Sequence, residues 1–240
     1  MSVAQGVVVT MDGPAGTGKS SVAWKLAQRL GLEVLDTGAM YRAAAVIAID
    51  EGVPADDGAA LAGRIAAEGL AFDWSCRPPR LLLGGRDLTE RIRDADVNVV
   101  VSVVARQAAL RAALVDAQRA IGRAHPRLVT EGRDQGSVVF PDAVARFYLD
   151  AHPEVRARRR VEQMRSQGRP ADYEAVLRAI QQRDHLDETR TDGPLVCPEG
   201  AQRVDTSMLT LDQVVDELER RVRAAVPVDR LAPPRAVQTA

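Results

Sequence analysis

Cysteine is scarce in this chain. Cys76 and Cys197 are its only two. They lie far apart and neither belongs to a C-x-x-C pair, which excludes a disulfide scaffold and a cysteine-based zinc or redox site. Histidine is equally thin: His125, His152 and His185 stand at spacings that no metal site uses, so they read as structural or surface residues. No apolar run reaches the roughly 18 residues that a membrane-spanning helix needs. The start, MSVAQGVVVT, lacks the basic and then apolar pattern of a signal peptide, so the expected compartment is the cytoplasm. An excess of charge of either sign is missing too. With 32 basic and 33 acidic residues, the formal net charge is −1, and no global field draws the chain to nucleic acid or membrane. Asparagine occurs once, at Asn98, and valine follows it, which removes the guanine-reading Asn-Lys-x-Asp motif. No aspartate has glycine three residues later, so the Asp-x-x-Gly γ-phosphate sensor of a regulatory GTPase is absent. The four-residue apolar run closed by a carboxylate pair, expected of a motor or remodelling ATPase, is absent as well.

What is present begins with Gly13-Pro14-Ala15-Gly16-Thr17-Gly18-Lys19-Ser20-Ser21. This fills the G-x-x-x-x-G-K-S pattern, in which backbone N–H groups cradle phosphates, the lysine neutralises them and the serine hydroxyl, here Ser20, holds Mg²⁺. The context the motif requires is there: a β-branched run at 7–11 before it, and a helix expected over 19–30 and ended by Gly31. Hydrophobic residues make up 46% of 240, enough for one core with insertions. A second short strand at 33–36 and a helix through 39–52 continue an α/β alternation, which signals a parallel sheet covered by helices. The middle differs: a helix over 59–69, a strand at 70–74 and a hairpin over 80–89 closed by Gly84-Gly85 suggest an inserted antiparallel subdomain. Helical periodicity then returns from about 95 to 124. Strands at 127–131 and 146–150, charged helices at 154–167 and 173–188, a strand at 203–207 and a helix at 211–225 complete the domain. The proline-containing tail from 227 to 240 reads as loose.

A phosphate loop names the donor side and leaves the acceptor open. Asp36-Thr37-Gly38-Ala39-Met40-Tyr41-Arg42 and Gly132-Arg133-Asp134 both follow expected strand ends, where parallel sheets bind ligands. Arg42 and Arg133 can thus share a cleft, and a guanidinium fork suits phosphate oxygens. Arg183, Asp187 and Arg190 are spaced i, i+4, i+7 and share one helical face, either a solvated salt-bridge ladder or part of the site. Arg156, Arg158, Arg159 and Arg160 crowd one turn, which makes sense if a polyphosphate closes under it. Asp12 and Asp36 are candidate carboxylates for the Mg²⁺ surroundings.

Taken in order, the loop, LDTGAMYR, EGRDQGSVVFPDA and RDHLDETR followed by PLV resemble the bacterial cytidylate kinases, from about Val7 to Ala225. The resemblance implies a P-loop kinase domain over 1–226: core at 1–38, 101–152 and 191–226, a nucleoside-monophosphate-binding insertion at 39–100 and a lid at 153–190. It also implies a monomer that transfers the γ-phosphoryl group of ATP to CMP or dCMP with Mg²⁺. The base falls to Ser102, Arg111 and Asp134, with Thr37 and Tyr41 beside them. The ribose falls to Asp187, and the acceptor phosphate to Arg42, Arg133 and Arg190. Arg183, with Arg156 and Arg160, would lie over the transferring group, alongside Lys19. Thr37 stands where that family usually has serine, Gln135 where it has an apolar residue, and Ser137 where it has threonine. The rival readings are a kinase for UMP, thymidylate or shikimate, a nucleotide-binding switch, and a nucleic-acid-stimulated ATPase.

Overall fold

The computed structural model describes residues 6–231. Strand β1 (Val7–Asp12) lies at the centre of a five-stranded sheet with β2 (Glu33–Asp36), β6 (Arg127–Glu131), β7 (Ala145–Asp150) and β8 (Gln202–Asp205), in the order β2-β6-β1-β7-β8. Every pairing in it is parallel. Parallel strands need helical crossovers, which cover both faces and demand apolar side chains on each. The strands comply: on β6, Leu128 joins the core on one face and Val129 the core on the other, the period-2 alternation of a strand. Helices α1 (Lys19–Leu30) and α8 (Leu211–Ala225) pack over Val9, Met11 and Phe147. On the opposite face, α2 (Thr37–Asp50) and α5 (Ala108–Ala124) pack over Leu35 and Leu128.

The insertion holds α3 (Gly58–Glu68) and an antiparallel sheet of β3 (Leu70–Asp73), β4 (Arg80–Leu83) and β5 (Arg86–Asp87), with Gly84 and Gly85 at the turn as the sequence predicts. Helices α6 (Pro153–Ser166) and α7 (Tyr173–Thr189) form an arm between β7 and β8. Among the described residues no single helix is long and apolar enough to cross a membrane.

Two expectations are refined. The helical stretch expected over 95–124 divides into two helices, α4 (Ala95–Val104) and α5, bent by 101°. The junction Ala105-Arg106-Gln107 carries no glycine or proline, so local propensity favours continuation. A tertiary contact replaces the helical ladder: Arg111 Nη1 donates to the freed carbonyl of Ala105 at 3.1 Å. The tail expected to be loose from 227 is held at its start. Val228–Leu231 forms a short helix, α9, with Leu231 buried and Arg127 Nη2 donating to its carbonyl at 2.8 Å. The remainder of that tail, 232–240, lies outside the described residues.

Candidate active site

The loop between β1 and α1 is shaped by close approach. Gly13 adopts φ 143°, and a Cβ there would collide with the carbonyl oxygen of Leu149 on β7. Only glycine lets the chain turn against the sheet at this point. Gly18 precedes α1 with no side-chain cap, so the N–H groups of the first turn stay free for an anion, and the helix dipole favours one there. Lys19 is buried and folds back over the loop, its Nζ donating to Pro14 O at 2.7 Å and to Thr17 Oγ1 at 3.4 Å. Burial pushes its ammonium down to about 7, and the nearby Arg133 adds to this. A phosphate anion beside Nζ would oppose both effects and favour the charged ammonium.

Ser20 Oγ donates to Glu131 Oε1 at 2.5 Å. Glu131 ends β6, the strand beside β1. Asp36, at the end of β2, is pushed well above the usual carboxylate range by burial and by the neighbouring Glu131. Its Oδ1 also accepts from Ala39 N at 3.1 Å as the N-cap of α2. A hydroxyl and two crowded carboxylates are hard oxygen donors that suit a cation such as Mg²⁺. Among the described residues no group of three His, Cys, Asp or Glu forms a complete cage. Asp12 has other work: its carboxylate accepts from Gln135 N at 2.8 Å and Gly136 N at 2.7 Å. These bonds start a single π-helical turn, Gln135–Val139, which follows Asp134. Burial raises the Asp12 carboxyl to about 6 despite the two N–H donors.

Beyond the strand ends lies a cleft lined by Thr37, Tyr41, Arg42, Arg111, Arg133, Asp134, Arg183, Asp187 and Arg190 among others. Arg111 and Asp134, both buried, form an ion pair, and the Arg111 guanidinium stacks over the Tyr41 ring at 5.3 Å. Burial raises the Tyr41 hydroxyl to about 12. Thr37 Oγ1 donates to Glu131 O at 2.7 Å, tying α2 to β6. Asp187 sits among three guanidinium groups: Arg133 Nε at 2.9 Å, Arg190 Nη1 at 3.7 Å and Arg183 Nε at 4.0 Å. Burial would lift its carboxyl, but these neighbours hold it below the usual range. Burial depresses Arg183 to about 10, with Arg133 adding to the effect. In all, five arginines line the cleft against Glu131, Asp134 and Asp187. The surplus is positive and at least half-buried, which favours an anion.

Three expected site residues do not line this cleft. Ser102 lines a separate groove with Val103, Arg106, Gln107 and Leu186, because it lies about 100° around α4 from Val101, which does line the cleft. Arg156 spends its donors on Ala151 O, Ala15 O and Asp184, and Arg160 donates to Gln163 Oε1 at 2.7 Å. The crowded arginine turn is crowded only in sequence, since consecutive helical positions point about 100° apart. Arg159, for instance, turns back to Thr206 O at 2.6 Å.

Other residues escaped sequence reasoning. Asn98, notable in the sequence only for being alone, accepts from Arg42 Nη1 at 2.8 Å and steadies it. Gln135 is buried in a polar chain, accepting from Thr130 Oγ1 at 2.8 Å and donating to Gln118 Oε1 at 3.0 Å. Gly193, at φ 56°, packs on the Arg111–Asp134 pair so closely that a Cβ would collide with both side chains. Its carbonyl also accepts from Arg190 Nε at 2.6 Å. Gly193→Ala is therefore expected to cost at least about 1 kcal/mol, the penalty of alanine at a positive φ plus displacement of the pair. A thermal melt identical to wild type would show that this loop does not rest on the pair.

The family model described as cytidylate kinase matches residues 9–224. The chain belongs to the cytidylate kinase family. Curated relatives agree along nearly their whole length. A cytidylate kinase of Rhodococcus jostii is 48% identical over 214 residues, covering 88% of this chain and 93% of its own. One of Nocardia farcinica is 47% identical over 216 residues, covering 90% and 93%. One of Mycolicibacterium paratuberculosis is 43% identical over 224 residues, covering 93% and 98%. The match spans the phosphate loop, the insertion and the arm, so the cytidylate kinase likeness includes every wall of the cleft described above.

Proposed function

We propose that the chain transfers the γ-phosphoryl group of ATP to CMP or dCMP, giving ADP and CDP or dCDP. The observation that carries this reading is the cleft's surplus of guanidinium groups, which includes the Arg111–Asp134 pair and brings Arg133 and Arg183 near Lys19 of the phosphate loop. Membership of the cytidylate kinase family supports it and disfavours a switch, a nucleic-acid-stimulated ATPase or a kinase for another acceptor.

Phosphoryl transfer needs positioning and charge stabilisation and little covalent work from the protein. In this reading the loop N–H groups and Lys19 hold the donor phosphates. Arg42, Arg133 and Arg190 hold the acceptor phosphate, and Arg183 faces the group in transit. No strong general base is required, because the attacking oxygen belongs to an anionic phosphate. Ser20, Glu131 and Asp36 would hold Mg²⁺, which neutralises charge on the donor phosphates when bound. The insertion at 39–100 and the lid at 153–190 act as flaps over the sheet and exclude water, which would otherwise take the phosphoryl group. The reading takes the chain as a monomer acting on small molecules.

Asp187 is assigned to the ribose. A carboxylate accepting hydrogen bonds from ribose hydroxyls makes fewer of them with deoxyribose. Asp187→Ala is expected to lower kcat/KM for CMP more than for dCMP, and steady-state kinetics with both substrates checks this. An equal loss would mean that Asp187 serves only to brace Arg133, Arg183 and Arg190.

A further inference from the structure

One guanidinium outside the cleft ties three segments together. Arg156 Nε donates to Ala151 O at 2.9 Å, just past the end of β7. Its Nη1 donates to Ala15 O at 3.0 Å in the phosphate loop, and its Nη2 to Asp184 Oδ2 at 2.6 Å on α7. The Arg156 side chain is 3% exposed and that of Asp184 13%. Gly16 of the loop rests on the same side chain, where an added Cβ would lie 3.2 Å from Arg156 Cβ. A planar fork with fixed donor directions sets the angles between the three acceptors as well as the distances, which a lysine could not do.

Asp184 is next to Arg183 and three residues before Asp187, so α7 is gripped at two neighbouring points. Arg156 holds Asp184 from the side of the phosphate loop, and Arg133 Nε holds Asp187 at 2.9 Å from the end of β6. Among the described residues, Arg183 itself has only the 4.0 Å approach to Asp187 as an ion contact. Its direction is thus set by the rotation of the helix that carries it. We infer that Arg156 and Asp184 form a positioning pair that couples the phosphate loop to α7 and so aims Arg183 at the transferring phosphoryl group, an inference that rests on the role proposed above for Arg183. In this account Arg156 is a link between the donor's cradle and the lid, and the donor phosphates are held by other groups.

The test is a double-mutant cycle in kcat with ATP and CMP, built from Asp184→Asn, Arg183→Ala and their combination. Asp184→Asn keeps one acceptor for Arg156 and a near-identical shape; Arg156→Lys supplies a second route if that variant melts early. Asp184→Asn is expected to lower kcat about ten- to a hundredfold, the cost of misplacing a group by about an ångström, with KM for CMP within about twofold of wild type. Arg183→Ala lowers kcat at least as far, and the double mutant is no slower than Arg183→Ala alone, because an absent side chain cannot be mis-aimed. Multiplicative losses in the double mutant, or a lowered melting temperature with unchanged kcat, would overturn the coupling and leave the pair a structural brace. If Arg183→Ala is itself as fast as wild type, the role given to Arg183 fails and the inference falls with it.

Discussion

Lys19→Ala is expected to abolish most of the turnover while leaving the fold intact. The side chain is buried, with its Nζ against Pro14 O and Thr17 Oγ1. Burial, with Arg133 nearby, already holds its ammonium down to about 7. Removing a charge that burial disfavours does not weaken the folded state much, so a melt close to wild type is expected. In the complex the balance reverses, since phosphate anions beside Nζ favour the charged form. The lysine then faces charge on the group being transferred. Losing one preorganised contact of this kind costs about 10²-fold or more in kcat. The measurement is kcat together with a melting curve. A folded variant with near-normal turnover would remove the loop from the reaction.

Asp134 is expected to carry the choice of base. Cytosine presents an amino donor at position 4, where uracil presents a carbonyl acceptor. An ionised carboxylate only accepts, so it pairs with the first and repels the second. Arg111 complements it as a donor to the acceptor edge of the base, with Tyr41 beneath its guanidinium. The structure guides the choice of variant. Asp134→Ala would strand buried Arg111 without its partner, at a cost of several kcal/mol in folding. Asp134→Asn keeps the shape and one acceptor, and its amide can turn a donor toward a carbonyl. A contact of this type discriminates by about 1–3 kcal/mol, which is about five- to 150-fold. The ratio of kcat/KM for CMP to that for UMP should fall by that order in Asp134→Asn, with CMP losing and UMP holding or gaining. A parallel fall for both substrates would leave Asp134 as a support for Arg111 alone.

What could be read from the sequence is what local pattern determines. The β-branched run at 7–11, the glycine loop and the helix after it form one unit whose geometry follows from residue type, and the structure has it at the same place. Arg42 and Arg133 follow strand ends, and parallel topology alone brings such residues together at one edge of the sheet. Arg183, Asp187 and Arg190 could be placed on one face of a helix by spacing, but nothing in the spacing says what that face meets. What could not be read depends on side-chain contacts that residue spacing does not announce. The bend after α4 is capped by Arg111 on the Ala105 carbonyl, and the face of α4 that meets the cleft is that of Val101 and not of Ser102. Arg156 looks like its arginine neighbours in sequence, and only the fold separates it from them by placing Ala15, Ala151 and Asp184 around its guanidinium. Glu131 could have been found, since a carboxylate closing the strand beside β1 faces the loop serine. Reading the stretch as Gly132-Arg133-Asp134 started one residue too late.

The account stands most directly on the identity of the acceptor. ADP formation from Mg-ATP, followed with CMP, dCMP, UMP, thymidylate and shikimate in turn, with RNA and with no acceptor at all, decides it in one assay. The expected result is fast, stoichiometric ADP and CDP or dCDP formation with CMP and dCMP, at least about tenfold lower kcat/KM with UMP, and only trace ADP with RNA or without acceptor. Equal use of UMP or thymidylate would contradict the role given to Arg111 and Asp134. ADP formation that needs no acceptor, or that rises with RNA, would contradict the kinase reading itself.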